Sequence, residues 1–396
     1  MNEFKEFNMS DSLQLAIQDL GFTKPTQIQA ESIQDIVQGK DIIGESATGS
    51  GKTLAFGCGI VEQVIPKQGL QALVLTPTRE LAEQVKDMIK DLTKELRITA
   101  VYGGVAINPQ IHDLNWAEVV VATPGRLLDH MQRGTVDLKK VKILVLDEAD
   151  RMLDMGFLDD VERIIHSCPR DRQTLFFSAT IDRKIKELSN KHMINPRKVS
   201  AVKMVDPTKL KQVYYNVDKN MKLSLLAHLL QNEEKDLVMV FCNTRRNTEF
   251  VTKTLKLNGV NATAIHGGLS QNKRTETITR FNGAKTSVLV CTDVAARGLD
   301  IGNVSHIYNV DLPKDAKDYV HRIGRTARAG EEGIAVNLLC DYDHDNFRRI
   351  QQEYPEFDIE CVERPNVKRI NIPAIKNNRP RRDNNFRNRG NFRRRY

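Results

Sequence analysis

Long apolar runs are missing from this chain of 396 residues. None approaches the roughly 20 consecutive apolar residues that a bilayer-spanning helix needs, so no membrane-spanning reading is available. Cysteine is sparse and scattered. Cys58, Cys168, Cys242, Cys291, Cys340 and Cys361 include no C-x-x-C pair, which argues against zinc and against a disulfide framework and fits a reducing cytoplasm. Cys242 and Cys291 lie in apolar, strand-like stretches and read as small buried hydrophobes. The opening MNEFKEFNMSDS is acidic and mixed, without the apolar stretch of a signal peptide. The length exceeds one ordinary domain and suggests two or three.

Net charge is also absent from most of the chain. The formal total is +8, but residues 376–396, KNNRPRRDNNFRNRGNFRRRY, contain eight Arg, one Lys and one Asp, which leaves 50 basic and 50 acidic residues in the rest. This tail is nearly free of aliphatic side chains and cannot bury enough surface to fold alone. Phe386, Phe392 and Tyr396 alternate with its arginines, a mixture of cations and π faces that suits single-stranded nucleic acid. The competing readings are a solubilising tail and a contact with a membrane surface.

What the sequence does contain is equipment for a nucleoside triphosphate. Residues 142–146, KILVL, read as a strand buried on both faces of a parallel sheet, and Asp147-Glu148-Ala149-Asp150 follow at its carboxyl end. Ligands bind at that end in open α/β sheets. Upstream, the short strand of residues 41–44 leads into Ser46-Ala47-Thr48-Gly49-Ser50-Gly51-Lys52-Thr53. This loop resembles the P-loop, whose backbone N–H groups cradle phosphates at a helix N-terminus. In that role Lys52 reaches the β- and γ-phosphates and Thr53 places its hydroxyl on Mg²⁺. Asp147 holds the metal and Glu148 orients or deprotonates the attacking water. A glycine-rich turn and an exposed acidic strand end are the plain alternative for each element, but not for both in this order.

Strand-like runs recur with helical stretches between them. They fall at residues 72–75, 118–121, 142–146 and 174–177 in the first half, and at 237–241, 262–265, 287–290, 306–310 and 334–338 in the second. Residues 81–96, LAEQVKDMIKDLTKEL, carry apolar residues at helical spacing. This alternation predicts α/β architecture with doubly wound parallel sheets. The expected division is a first domain over residues 1–200, a linker over 201–209, a second domain over 210–365 and a disordered basic tail over 366–396. No sequence repeat links the halves. Nearly every strand ends in a polar or glycine-rich motif, which implies functional edges that face each other.

Taken together these motifs resemble the DEAD-box ATP-dependent RNA helicases of superfamily 2. The resemblance rests on residues 21–29 (GFTKPTQIQ), the phosphate loop, residues 77–82 (PTRELA), Gly103-Gly104, residues 123–126 (TPGR), 147–150 (DEAD), 178–180 (SAT), 292–300 (TDVAARGLD) and 321–330 (HRIGRTARAG). It covers roughly residues 4–340. Ser46 stands where the family usually has Ala or Gly, and Ala327 where Gly is common; both are small, so tuning of nucleotide affinity is expected. The resemblance implies two tandem RecA-like domains joined by a short linker, with ATP, Mg²⁺ and RNA as ligands. It places Phe22 and the loop residues Ala47, Thr48, Gly49, Ser50 and Gly51 around the nucleotide. Gln29 suits adenine, because an amide can bond N6 and N7 together. Phe7 stacks near the base by the resemblance, or else is a staple that docks a helix. Arg325 and Arg328 resemble arginine fingers, Asp300 would contact the ribose, and His321 would couple the cleft to Asp150, Ser178 and Thr180.

The candidates for RNA are Arg79, Gly104, Thr123, Gly125 and Arg126 in the first domain, with Thr244, Arg245, Gly267 and Thr292 in the second. Glycines and hydroxyls permit close approach to phosphate, which positions a strand without reading its sequence. The leading expectation is RNA-stimulated ATP hydrolysis coupled to local opening of short duplexes. An ATP-gated RNA clamp or annealing chaperone would share every motif. A DNA helicase of the superfamily with a zinc or winged-helix appendage would need further elements, and a metabolic P-loop kinase would not need the second half. The protein is expected to be a monomer and to meet RNA-processing or ribosome-assembly proteins.

Overall fold

The computed structural model describes residues 3–46, 49–201, 210–232, 236–296, 299, 301, 304–327 and 332–373. Of the sequence-based candidates, Ala47, Thr48, Asp300, Arg328, most of the linker and the tail beyond residue 373 lie outside these residues.

Two seven-stranded sheets form, every pairing in both being parallel. The first contains β1 (Ile42–Ser46), β2 (Ala72–Leu75), β3 (Ile98–Val101), β4 (Val119–Ala122), β5 (Ile143–Leu146), β6 (Gln173–Ser178) and β7 (Arg197–Ala201), in the spatial order β3-β4-β2-β5-β6-β1-β7. The second contains β8 (Leu210–Asn216), β9 (Val238–Phe241), β10 (Ala262–Ile265), β11 (Val288–Cys291), β12 (His306–Asn309), β13 (Gly333–Leu339) and β14 (Ile359–Cys361), in the order β10-β11-β9-β12-β13-β8-β14. Strand for strand the two orders are the same. The domains therefore share one topology without a visible sequence repeat, and each motif in one half has a positional counterpart in the other.

The period of two along the strands divides the first core into two layers. Val119, Val121, Val145 and Phe177 pack on one face of the sheet, and Val120, Ala122, Leu144 and Phe176 on the other. Helices cover both faces, so the central strands β2, β4 and β5 are buried throughout and continuously apolar, whereas the edge strand β7 has one buried residue. The second sheet repeats the arrangement, with Val240 and Val290 on one face and Met239 and Leu289 on the other.

The structure also departs from the sequence-based boundaries. The helix expected over residues 81–96 runs Arg79–Leu92 and stops at Thr93, whose backbone is extended. Ala201, expected in the linker, ends β7 and pairs with Ser46. Residues 366–373, expected to begin the disordered tail, lie along the second domain. Val367 and Ile370 pack on its core. Ile370 N–H donates to Ser224 Oγ at 3.3 Å, and Asn258 Nδ2 donates to the Asn371 carbonyl at 2.8 Å.

A single buried arginine ties the carboxyl edge of the second sheet together. Arg322 is 1% exposed. It donates to both oxygens of Asp293 (2.6 and 2.7 Å), to Asn309 Oδ1 (2.9 Å), to the Asp311 carbonyl (2.6 Å) and to Asn243 Oδ1 (2.9 Å). These partners follow or end β11, β12 and β9, so one guanidinium fixes three strand ends. Replacing it leaves the Asp293 carboxylate without its partner. Arg322→Met is expected to lower the unfolding free energy of the second domain by about 3–5 kcal/mol, measured by urea denaturation followed by circular dichroism.

Candidate active site

The carboxyl ends of β1 and β5 open on one cavity of about 420 Å³, lined by Phe22, Gln29, Gly51, Lys52, Asp147 and Glu148 among others. β6 separates the two strands, so the strand ends stand roughly 10 Å apart, a gap that a lysine side chain spans. Gly51 caps the helix Lys52–Gln63 with a left-handed backbone (φ +88°), and a Cβ there would collide with the Gln29 amide. Glycine is required on both counts.

Lys52 is 5% exposed and Asp147 fully buried; Lys52 Nζ stands 3.0 Å from Asp147 Oδ1. The contact is a charge pairing without hydrogen-bond alignment. Neither Asp147 oxygen, Lys52 Nζ nor Ser50 Oγ has a hydrogen-bond partner among the described residues. Buried polar atoms are rarely left so; here they converge on a cavity and present acceptors and donors to a ligand. Burial opposes the charge on Lys52, but Asp147, Glu148 and Asp150 outweigh it and hold the pKa above its ordinary value. Burial pushes the Glu148 carboxyl up, Asp147 and Asp150 push the same way, and Lys52 and Arg325 act against them. Glu148 also sits in the left-handed region (φ 53°, ψ 51°) as the residue before the helix Ala149–Asp154. Such a backbone costs of order 1–3 kcal/mol and concentrates at functional sites.

The structure brings together Asp150, Ser178 and Thr180. Thr180 N–H and Oγ1 donate to Asp150 Oδ2 at 3.1 and 3.2 Å, Asp150 N–H donates to Ser178 Oγ at 3.3 Å, and Ser178 Oγ donates to the Thr180 carbonyl at 2.7 Å. His321 makes no hydrogen bond to Asp150. Burial, with Arg151, Arg325 and Lys52 nearby, lowers its pKa to about 3, so the ring is neutral. Gln29 does more than sequence reasoning assigned. Its Oε1 accepts from Thr26 N–H (2.9 Å) and its Nε2 donates to the Gly51 carbonyl (2.9 Å), which caps one helix and tethers the phosphate loop. One donor and one acceptor position of the amide remain. Phe22 lines the cavity, whereas Phe7 does not; it packs edge-on against Phe4 with ring centroids 6.1 Å apart. Thr53 is at the cavity wall as well, as is Gly49.

The second domain closes over this cavity. Leu299 lines it, and Arg325 Nη1 donates to the Leu299 carbonyl at 2.9 Å. Arg325 is 4% exposed, and its charge is felt by Glu148. Two further links join the domains, and neither was anticipated from the sequence. Arg151 Nη1 donates to Asp318 Oδ1 at 3.3 Å. Glu80 Oε1 receives Gln271 Nε2 at 3.1 Å and stands 2.8 Å from Arg274 Nε. The only sequence signal was the spacing of Gln271 and Arg274, one helical turn apart.

A second set of residues lines the same sheet edge. The Arg79 guanidinium lies over Gly104, where φ is +81° and a Cβ would collide with it. The counterpart in the second domain is Arg245 against Gly267, its Nη2 3.1 Å from where a Cβ would stand. Thr123, after β4, caps the helix Pro124–Gln132 without using its hydroxyl, and Gly125 has nothing packed over it. Thr292 follows β11 at the equivalent point. Thr244 caps the helix Arg245–Leu257 through Asn247 N–H. Arg126 donates to Gln110 Oε1 (3.3 Å) and the Val105 carbonyl (3.2 Å), and Gln110 Oε1 also meets the buried His130 ring (3.3 Å). Gln110 and His130, missed from the sequence, thus fix the direction of Arg126. Glycines, cap hydroxyls and guanidinium groups on helix N-termini make an edge suited to an anionic backbone.

Comparison with known proteins agrees with this geometry. Residues 26–188 match the model of the DEAD/DEAH box helicase family, and residues 221–330 that of the helicase conserved C-terminal domain. The chain is 43% identical over 358 residues to the DEAD-box ATP-dependent RNA helicase CshA of Bacillus cereus, an alignment covering 89% of this chain and 68% of that protein. The solved structure of Saccharomyces cerevisiae Dbp5 bound to RNA and ADP BeF3 superimposes with a TM-score of 0.83 at 31% identity, covering 92% of this chain and 96% of the other. A DEAD box protein from the hyperthermophile Methanococcus jannaschii gives a TM-score of only 0.56 at 42% identity, with 91% and 98% covered.

The Glu80 link makes closure itself testable. Fluorophores on the two domains report their separation by energy transfer. Glu80→Ala and Arg274→Ala are each expected to depopulate the closed arrangement. A double-mutant cycle should return a coupling of about 0.5–3 kcal/mol; strict additivity would show that the contact does not contribute to closure.

Proposed function

The chain belongs to the DEAD/DEAH box helicase family, and from that premise we propose that ATP closes its two domains on a single RNA strand and so opens short duplexes locally. It is an ATP-dependent RNA helicase, and hence an ATPase. The observation that carries the finer reading is that Lys52 and Glu148 of one domain line a cavity also lined by Leu299 of the other, whose carbonyl accepts from Arg325 at 2.9 Å, close enough for the Arg325 charge to act on Glu148.

Each residue has a chemical task in this reading. The helix N-terminus after Gly51 and the Lys52 ammonium would bind the triphosphate. The buried Asp147 oxygens, which accept no hydrogen bond among the described residues, and the Thr53 hydroxyl would hold a magnesium ion, which when bound supplies neutralisation of phosphate charge. Glu148 would take the proton of the water that attacks the γ-phosphorus as the bond to the ADP oxygen breaks. Its raised pKa makes it a stronger base than an ordinary carboxylate. Arg325 would neutralise charge that develops on the transferring group. The last group arrives only with closure, so a strand that bridges both domains at Arg79, Thr123, Arg245 and Thr292 would promote hydrolysis. Backbone contacts of this kind hold any sequence, and a strand bent to fit both domains cannot keep its partner paired.

Three outcomes are expected. Glu148→Gln should retain ATP and RNA binding while losing turnover, because it keeps the shape and loses the base; parental turnover would place the base elsewhere. Arg325→Ala should lower kcat by about 10³-fold with ATP affinity nearly intact. The kcat/KM profile should fall on the acid side as Glu148 takes up a proton, at a pH above the ordinary glutamate range, since burial raises its pKa; an acid limb at the ordinary carboxylate position would contradict the assignment. The assay for the function as a whole is ATP-dependent separation of a short RNA duplex. ATP-dependent annealing without separation would favour the chaperone reading instead.

A further inference from the structure

The amino-terminal edge of the first sheet, at the pole opposite the cleft, carries a second open cavity. It measures about 580 Å³ and is lined by Lys139, Lys140, Lys142, Arg172, Gln71 and Asp171, with few apolar side chains. The three lysines are exposed, while Arg172 is 7% exposed. The buried guanidinium is incompletely matched. Its Nη1 donates to the Pro169 carbonyl at close range, and its Nε has no partner among the described residues. Asp41, whose charge Arg172 feels, already accepts from Thr174 N–H and Ile194 N–H at 2.7 Å each. Of the nearby rim carboxylates, Asp171 is exposed and Asp137 accepts from Lys139 N–H at 3.0 Å. Four cations thus face few carboxylates, in a chain whose first 375 residues are electrically balanced.

The backbone joins this cavity to an aromatic platform. Lys142 N–H donates to the Gln71 carbonyl (2.7 Å), Gln71 N–H to the Glu118 carbonyl (2.9 Å), and Glu118 N–H to the Arg97 carbonyl (3.0 Å). The four residues lie side by side at the starts of β5, β2, β4 and β3, at strand spacings of about 4.8 Å. Arg97 is exposed, and its guanidinium stands 5.5 Å from the ring centroid of Trp116, itself 57% exposed. A large exposed indole beside a guanidinium, continuous with a lysine-rich cavity, combines π faces with cations in the way single-strand binding surfaces do.

We propose that this edge, from Trp116 and Arg97 to Lys139, Lys140, Lys142 and Arg172, binds the backbone and bases of single-stranded RNA that extends beyond the cleft. The inference rests on RNA being the substrate of the cleft. Because the surface lies within one domain, its grip is independent of nucleotide and of closure. It holds the substrate while the cleft opens and resets, which raises the effective concentration of the strand for the next cycle.

Trp116 is the single tryptophan of the chain, so its fluorescence reports this surface alone. The experiment uses the full chain without nucleotide and two RNAs, a short one that covers only the cleft and a long one with a single-stranded extension. The long RNA is expected to quench Trp116 and the short one is not. The combined variant Lys139→Gln, Lys140→Gln, Lys142→Gln should reduce the affinity ratio of long over short RNA roughly tenfold. It should also flatten the slope of log K against log salt for the long RNA by about 2, at 0.7 per phosphate contact. Unchanged Trp116 emission with the long RNA, together with superimposable ratios for parent and variant, would overturn the proposal. Quenching by an acidic peptide such as polyglutamate but not by long RNA would also overturn it and assign the surface to a protein. If the short RNA fails to bind the parent while the long one binds and quenches Trp116, the RNA reading of the cleft fails and this surface stands; if neither binds, both are overturned.

Discussion

The charges that a triphosphate site needs are divided between two bodies. Lys52, Asp147 and Glu148 come from the first domain and Arg325 from the second, and all four are nearly or wholly buried. Asp147, Glu148 and Asp150 crowd three carboxylates around one lysine, and burial, with Asp147 and Asp150, lifts the Glu148 pKa. Arg325 supplies the second positive charge only when the domains meet. Interactions among buried charges are strong and fall off with separation, so the site differs sharply between apart and together. The phosphate loop, the link of Glu80 to Gln271 and Arg274, and the pair Arg151–Asp318 all bear on that one condition.

The shared topology of the sheets explains how RNA enters the same account. Parallel strands deliver their polar ends to one edge. With the same strand order in both domains, Arg79 over Gly104 and Arg245 against Gly267 occupy corresponding places, as do Thr123 and Thr292. One strand laid along both edges touches equivalent groups in each half. In the proposed function, closure over ATP and a grip on RNA would be one movement, since the candidate residues for both lie at the same carboxyl ends. Arg322 holds the second edge in shape from behind, through the ends of three strands.

Much of this was legible in the sequence, for physical reasons. Buried parallel strands are continuous apolar runs, so most of the central strands fall within a residue of their expected places. The strands that escaped were β3, β7, β8 and β14. β3 is four residues long and interrupted by Thr99, and β7 and β14 each have only one buried residue. Lys52, Asp147 and Glu148 were readable because glycine-rich turns and acidic strand ends are local patterns. Contacts between distant residues were not readable in this way. Glu80 and Gln271 are 191 positions apart, and Arg151 and Asp318 are 167; nothing local marks either pair. The Gln29 amide was visible in the sequence but its bonds to Thr26 and Gly51 were not, and the packing of Phe7 on Phe4 has no local signal. Ala327, noted for standing where glycine is common, has φ of +55°, which explains why glycine suits that position and marks a strained turn beside Arg325.

If Arg325 must reach the cavity for hydrolysis, turnover requires the two domains to meet. Single-molecule energy transfer between labels on the two domains, recorded alongside ATP turnover as ATP and RNA are titrated, tests it directly. The expected result is that the closed fraction rises only when both ligands are present and that turnover follows that fraction. Turnover at the full rate while the domains remain apart would contradict it.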